Sequence, residues 1–366
     1  MKFGCAAVFP GSCGDSKEPV MPHAVIRADA STSLGSGHIM RCLALAIELR
    51  SQRWNVSFVC REDPGHLCDL VEEFGFTVFR LPFLPALPES WENDAEATRR
   101  SVGSIDVSWL IIDHYGLDAR WELKMSMVAS RLMVIDDLAN RSHYCNLLLD
   151  QNLHAEPSTR YSGLVPISCQ ILLGPEFAIL RREFRVEHDI RRKRDGGIRR
   201  ILVFFGGSDP TNETVKALLA LKAVARTNIN VDVVVGTSNT RRLEIERFCQ
   251  HIPRVSYHCQ TNKMAQLMGA ADLAIGAGGS ATWERCCVGL PALIISVAEN
   301  QTEISAQCAE AGAAIFLGCS DTVDVPCMRD AISALLRDAG KVADMSRKAS
   351  TLVDGRGTTR VSALLE

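Results

Sequence analysis

Short apolar runs alternate with segments of helical spacing along most of the chain. The runs have the length and β-type composition of buried strands, and those segments carry apolar residues at three- and four-residue intervals. In the first half they lie at 23–26, 54–60, 77–81, 109–112, 132–135 and 146–149. In the second half they lie at 201–205, 231–235, 255–258, 273–275, 292–295 and 314–317. Such alternation predicts an α/β protein with parallel sheets.

The pattern is interrupted once, by the charged stretch 187–200 with its Gly196-Gly197 pair, and then restarts. We therefore predict two Rossmann-like, doubly wound domains that face a cleft, at 22–185 and 199–366, joined by a hinge at 186–198. The basic residues of the hinge are interpreted as a solvated linker. Residues 1–21 are expected to form a disordered extension without function, Met21 being the more natural start.

A glycine-rich turn at 276–280 follows the strand at 273–275 and precedes a predicted helix. This arrangement directs backbone N–H groups at one point, which favours an anion such as phosphate. Gly278 and Gly279 let the backbone approach the anion, and Ser280 either caps the helix or donates its hydroxyl. Glu284, one turn further on, suits a ribose diol. Together they predict a nucleoside diphosphate site; the alternative is an ordinary tight turn.

A second glycine loop, with Gly35 and Gly37, precedes a helix that the spacing predicts from Ile39 to Leu49. His38 would sit in the positive field of the helix N-terminus, which favours the neutral imidazole that a general base requires. Arg41 lies one turn on and could meet a phosphate or orient the histidine. The alternative for His38 is a hydrogen-bonded structural residue.

A third unit, Gly206-Gly207-Ser208, follows the strand at 201–205, and Thr211 is the expected helix cap there. Ser208 is a candidate contact for phosphate or sugar. The amides of Asn300 and Gln301 could hold sugar hydroxyls or an acetamido group.

Polar residues also follow three strands of the first half, where the carboxyl ends of parallel strands line a ligand crevice. They are Asp113, His114, Tyr115, Asp137, Gln151 and Asn152. Such a wall suits a hydroxylated or amidated substrate. Two alternatives are a divalent metal, which no further ligand spacing supports, and aspartates that cap turns.

The composition of the chain limits the kinds of molecule that we expect it to bind. With 366 residues, 47% apolar and a net charge of −3, the chain is an ordinary globular protein with no electrostatic preference for nucleic acid. Its 14 cysteines are scattered and form no metal-ligand spacing, which argues against zinc and fits a reducing cytoplasm. No apolar run is long enough to predict a membrane span.

Taken together, these segments resemble the UDP-sugar hydrolases of bacterial pseudaminic acid biosynthesis, which act on UDP-2,4-diacetamido-2,4,6-trideoxy-β-L-altropyranose. The resemblance runs from about residue 23 to residue 317 and includes Gly-Ser-Gly-His-Ile-Met-Arg-Cys at 35–42. The other matching segments are 27–31, 113–117, 135–141, 149–152, 173–177, 204–210 and 276–285. Each is common alone; their order and number together are specific.

The resemblance implies a GT-B fold, similar to the peptidoglycan N-acetylglucosaminyltransferase, with UDP on the C-terminal half. It implies a reaction that needs no metal or cofactor, in which water attacks the anomeric carbon with inversion. GT-B proteins of this size can be monomers, and we expect a monomer here. The catalytic base of the family matches His38, its nucleotide loop matches Gly278, Gly279 and Ser280, and its ribose-binding residue matches Glu284. Two departures are the N-terminal extension and Ala281, which stands in place of an expected hydroxyl.

Three other functions fit the same fold. A glycosyltransferase would replace water by an acceptor hydroxyl, and a UDP-amino-sugar 2-epimerase would release UDP only transiently. A non-catalytic nucleotide-sugar binding protein would keep the nucleotide loop alone.

Overall fold

A computed structural model describes residues 1, 21–32, 34–83, 90–224 and 228–366. Nearly all of the expected N-terminal extension and most of the proline-rich segment 82–88 lie outside the described residues.

The first sheet contains seven parallel strands in the order β3-β2-β1-β4-β5-β6-β7. Their bounds are β1 His23–Ala28, β2 Asn55–Arg61, β3 Thr77–Leu81, β4 Val107–Asp113, β5 Ala129–Ile135, β6 Leu147–Asp150 and β7 Gln170–Leu173. The central strands β1, β4 and β6 are buried at nearly every position, as in parallel sheets whose two faces are covered by helices. Strand order reverses direction between β1 and β4, so a crevice opens at their carboxyl ends.

The second sheet contains six parallel strands in the order β10-β9-β8-β11-β12-β13. Their bounds are β8 Arg200–Phe204, β9 Asn230–Val235, β10 Val255–Cys259, β11 Leu273–Ala277, β12 Ala292–Ser296 and β13 Ala314–Cys319. Here the order reverses between β8 and β11. The two glycine turns that follow these strands are therefore neighbours at one edge of the sheet.

Thirteen helices of the described chain connect and cover the strands. They are α1 Gly37–Ser51, α2 Cys68–Glu73, α3 Trp91–Val102, α4 Ala119–Met125, α5 Arg182–Asp189, α6 Glu213–Val224, α7 Arg242–Gln250, α8 Met264–Ala270, α9 Ala281–Cys287, α10 Thr302–Glu310, α11 Val325–Leu335, α12 Ala339–Leu352 and α13 Gly357–Ala363. Within the described ranges, none of these helices has both the length and the apolar character that crossing a bilayer requires.

The last helix, α13, returns to the first sheet instead of staying with the second. Val361 and Leu365 are buried in the apolar cluster that contains Ile26 and Leu45. The indole Nε1 of Trp109 donates to the carbonyl of Leu365 at 2.8 Å. The predicted division at 199–366 assigned this helix to the second domain, but its apolar face is buried against the first.

The expected hinge is also held by the second half. Phe184 of α5 is buried in the cluster of the second sheet. Arg194 is only 5% exposed. Its guanidinium donates to the carbonyls of Met268, Gly269, Ala271, Val288 and Gly289. The interpretation of this basic run as a solvated linker is wrong at Arg194, because a guanidinium can satisfy carbonyls at the ends of two helices.

A buried ion-pair network fixes the carboxyl end of β1. Asp94 on α3 accepts from Arg27 at 2.7 Å, from Arg61 at 2.6 Å and from the indole of Trp121 at 2.9 Å. Burial disfavours its charge, but Arg27 outweighs that effect and holds the pKa of Asp94 far below its usual value. The sequence did not indicate this network, because its members are far apart in the chain.

We expect Asp94→Ala to destabilise the protein by about 3 kcal/mol, since it removes a carboxylate from two buried guanidinium groups. Urea unfolding followed by tryptophan fluorescence measures the loss. Glu96→Ala is the control on the same helix, because Glu96 pairs with Arg99 at the surface. Equal midpoints for the two variants would contradict the assignment.

Candidate active site

The crevice between β1 and β4 brings His38 and Asp113 together. Asp113 is the last residue of β4, and His38 is the second residue of α1. The Nδ1–H of His38 donates to Oδ1 of Asp113 at 2.5 Å, and both side chains are buried. In the neutral ring this bond leaves the lone pair on Nε2. In the described part of the chain no group is hydrogen-bonded to Nε2.

Arg41 completes this group by binding Asp113 through two nitrogens. Its Nε donates to Oδ2 and its Nη2 to Oδ1, both at 2.6 Å. Burial alone would raise the pKa of Asp113, but Arg41 and His38 outweigh it and hold that pKa far below normal. Of the two roles considered for Arg41, orientation of the histidine fits this geometry, and Asp113 is the partner of His38 instead of a free ligand contact.

Tyr115 and Asn300 extend the site across the cleft. The ring of Tyr115 meets the ring of His38 edge to face, with centroids 4.6 Å apart. The Nδ2 amide of Asn300 donates to the Tyr115 hydroxyl at 3.2 Å. Burial and the carboxylate of Asp137 raise the pKa of Tyr115, so its phenol stays protonated. Tyr115 of the first half therefore contacts His38 directly, and Asn300 of the second half contacts Tyr115.

Both glycine turns of the second sheet face the start of α1. A Cβ placed on Gly37 would lie 3.9 Å from Oγ of Ser280, and one on Gly207 would lie 3.8 Å from Oγ of Ser36. Gly206, which precedes Gly207, has a φ of +87°. The loop that carries His38 is thus adjacent to both candidate phosphate-binding turns.

The turn at 276–280 leaves three successive N–H groups open. Gly279 has a φ of +82°, and a Cβ on Gly278 would lie 2.5 Å from Oγ of Ser305. Thr282 and Trp283 donate back to Gly279 and Ser280, whereas the amides of residues 279–281 have no acceptor among the described residues. Ser280 does not cap α9, so of its two expected roles only hydroxyl donation remains. Successive N–H groups of this kind can bind an anion.

The turn after β8 differs from the turn at 276–280, because the helix that follows it has its first amides occupied by a side chain. The two carboxylate oxygens of Asp209 accept from the amides of Glu213 and Thr214, each at 2.9 Å. Asp209, not the expected Thr211, therefore caps α6 and fills the place that an anion would take. The signal was available, since Asp is a favoured cap residue.

Three predicted ligand contacts are occupied by protein groups. His114 accepts from the amide of Gly116 and lies 3.2 Å from Asp29. Oε1 of Gln151 accepts from Ile179, and Oδ1 of Asn152 accepts from the indole of Trp283. These side chains fix loops and join the two halves.

The other predicted residues lie near the open turn or near Arg41. Oε1 of Gln301 accepts from Val297, and its Nε2 would lie 3.7 Å from a Cβ on Gly279. Glu284 lies 3.5 Å from Arg181, and burial raises the pKa of its carboxyl group. Asp137 lies 3.8 Å from Arg41, and its Oδ1 is buried without a hydrogen-bond partner.

No group of three or more His, Cys, Asp or Glu side chains arranged to hold a metal ion occurs in the ranges that the structure describes. The aspartates at the strand ends are instead paired with arginine and histidine, as at Asp113 and at Asp150.

His154 joins the two halves beside the cleft, a role that the sequence did not indicate. Its Nε2 lies 2.9 Å from Asp150 and its Nδ1 lies 2.9 Å from Glu303 of α10. Because both partners are carboxylates, both nitrogens donate and the ring is an imidazolium. Arg160 donates to the same oxygen of Asp150 and lies 3.5 Å from Glu303, and Tyr161 donates to Asp150 as well.

Residues 201–354 match the family profile described as the glycosyltransferase family 28 C-terminal domain. Among curated proteins, the spore coat polysaccharide biosynthesis protein SpsG of Bacillus subtilis is 28% identical, over 94% of this chain and 98% of its own. The UDP-2,4-diacetamido-2,4,6-trideoxy-β-L-altropyranose hydrolase of Campylobacter jejuni is 25% identical, over 79% of this chain and 96% of its own.

Among solved structures, MurG of Acinetobacter baumannii superposes with a TM-score of 0.65 at 14% identity, covering 94% of this chain and 99% of its own. At that identity the likeness establishes the fold alone. The chain has the GT-B fold, and the predicted fold class is confirmed.

We expect the contact made by His154 to weaken as pH rises. Burial opposes the charged ring, but Asp150 and Glu303 outweigh it and raise the pKa of His154 above its ordinary 6.5. The stabilisation is therefore complete below 6.5 and is lost as pH rises through the raised pKa.

The melting temperatures of wild type and His154→Gln, measured at several pH values, test this. The variant should melt roughly 2–4 °C lower in mildly acid buffer, and the gap should close in alkaline buffer. His251→Gln, which changes a surface histidine, is the control. A gap that does not depend on pH would rule out the imidazolium.

Proposed function

We propose that the protein hydrolyses UDP-2,4-diacetamido-2,4,6-trideoxy-β-L-altropyranose to UDP and the free sugar, without a metal or cofactor. The observation that carries the proposal is the pair formed by His38 and Asp113, adjacent to the open amides of residues 279–281. A general base and an anion-binding turn on opposite sides of one cleft are the two groups that this reaction requires. The 25%-identical hydrolase supports the choice of sugar.

In this mechanism the diphosphate of the substrate binds at Gly278, Gly279 and Ser280. The backbone N–H of Ala281 is present even though its side chain lacks the expected hydroxyl. Glu284 would hold the ribose diol, and Gln301 and Asn300 would contact the sugar nearby. Gly206, Gly207 and Ser208 border the same space from the neighbouring turn.

Nε2 of His38 takes a proton from water as the water oxygen bonds to the anomeric carbon. The bond from that carbon to the phosphate oxygen breaks, its electron pair leaves with UDP, and the sugar is released with inverted configuration. Asp113 stabilises the imidazolium that forms. The open amides stabilise the charge that builds on the leaving phosphate.

A glycosyltransferase is the second candidate, and the match of residues 201–354 to a glycosyltransferase profile favours it. The same base would then deprotonate an acceptor hydroxyl. An epimerase or a binding protein would release no free inverted sugar. Incubation of the purified protein with the UDP-sugar in EDTA, followed by NMR of the anomeric proton, separates these possibilities. Free inverted sugar supports hydrolysis, and turnover that requires an added acceptor contradicts it.

We expect His38→Gln to lower kcat by roughly 10²–10⁴-fold, because the variant lacks the general base. Asp113→Asn should also lower kcat, since the amide no longer stabilises the imidazolium. The Kd for UDP, measured by calorimetry, should change little in either variant. Unchanged kcat in His38→Gln would exclude His38 as the base.

We expect Glu284→Gln to weaken UDP binding by roughly tenfold or more, because a hydrogen bond to a charged carboxylate is lost. Its effect on 2′-deoxy-UDP should be smaller, since that ligand lacks one of the two hydroxyls. Calorimetric titration of both ligands measures the difference. Equal losses for the two ligands would show that Glu284 does not contact the 2′-hydroxyl.

A further inference from the structure

Among the described residues, no carboxylate forms an ion pair with the buried guanidinium of Arg285. The residue is 2% exposed, and its Nη2 donates to the carbonyl of Ala277 at 2.8 Å and to Oγ1 of Thr282 at 2.9 Å. Its Nε has no hydrogen-bond partner. The neighbouring Glu284 pairs with Arg181 instead. Burial lowers the pKa of Arg285, and no carboxylate reverses that effect as aspartates do for Arg27 and Arg41.

The guanidinium lies directly against the open glycine turn. Its Nη1 would be 3.2 Å from a Cβ on Gly276, and its Nη2 holds the next carbonyl along the chain. The open amides begin two residues later, at Gly279. A second contact, to Thr282, anchors the other end of the turn. Arg285 thus spans the segment that presents those N–H groups.

Arg194 is a second buried arginine, far from the glycine turn in its contacts, and its hydrogen bonds can be compared with those of Arg285. Its guanidinium forms no ion pair among the described residues, although the charge of Asp272 acts on it, and it donates to five backbone carbonyls. Arg285 donates to one carbonyl and one hydroxyl only. An isolated buried charge is costly, so its presence beside an anion-binding turn calls for an anion that compensates it.

We propose that Arg285 is a positioning residue for the diphosphate of the nucleotide: it holds the glycine turn open and its charge is compensated when the diphosphate binds. The inference rests on the proposed function only in taking the ligand to be a nucleoside diphosphate. Because the guanidinium is buried, water only weakly screens its attraction for a diphosphate bound at the turn. The same charge favours the diphosphate that leaves in the reaction.

Titration calorimetry with UDP, UMP and uridine tests this role. In wild type the affinity should rise with the number of phosphates. In Arg285→Met and Arg285→Gln the preference for UDP over uridine should fall by roughly ten- to a hundredfold, while uridine affinity is nearly kept. Arg285→Lys, which keeps the charge, should retain most of the preference.

Arg194→Lys is the control, because it perturbs another buried arginine of the same half. It should lower the melting temperature but leave the ratio of UDP to uridine affinity unchanged. An unchanged ratio in the Arg285 variants, or equal losses for UDP and uridine, would reduce Arg285 to a structural clamp and overturn the proposal. If wild type itself does not prefer UDP to uridine, the proposed nucleotide function fails and this inference fails with it.

Discussion

The site depends on the hydrogen bonds and ion pairs of the buried carboxylate of Asp113. It can remain ionised in the interior only because Arg41 binds both of its oxygens. The same carboxylate then fixes the ring of His38 and sets which nitrogen holds the lone pair. Asp113 at a strand end and His38 and Arg41 at a helix start thus form one hydrogen-bonded group, in which the carboxylate contacts both other residues.

The fold brings these three residues close to the glycine turns of the second half. In each sheet the strand order reverses at one point, and these two points face each other across the cleft. One reversal, between β1 and β4, positions His38; the other, between β8 and β11, positions the glycine turns. Polar contacts that cross the cleft include an indole on an amide, an amide on a phenol, and an imidazole between carboxylates. Val361 and Leu365 add apolar contacts between the halves. Polar contacts of this type can hold a cleft while leaving it able to open.

The two sides of the cleft treat charge in opposite ways. In the first half every buried aspartate described above is paired with an arginine or a histidine, so the negative charge around the base is compensated. In the second half the open amides of residues 279–281 and the guanidinium of Arg285 lie at the same turn. In the proposed reaction the first half supplies the proton acceptor and the second half binds the leaving phosphate.

Local pattern predicted twelve of the thirteen described strands, both glycine turns of the second half and the position of His38 at a helix start, because strand and helix periodicity and glycine are read within a few residues. It did not predict β7, a strand of only four residues that is partly exposed. It could not determine the partners. Asp113 lies 75 positions from His38, and Glu303 lies 149 positions from His154. For the same reason the sequence predicts Gln151 and Asn152 as ligand contacts, whereas in the structure they accept hydrogen bonds from Ile179 and Trp283. The residue type of a side chain determines which groups it can bind, and the packing of the fold determines which of those groups lies next to it.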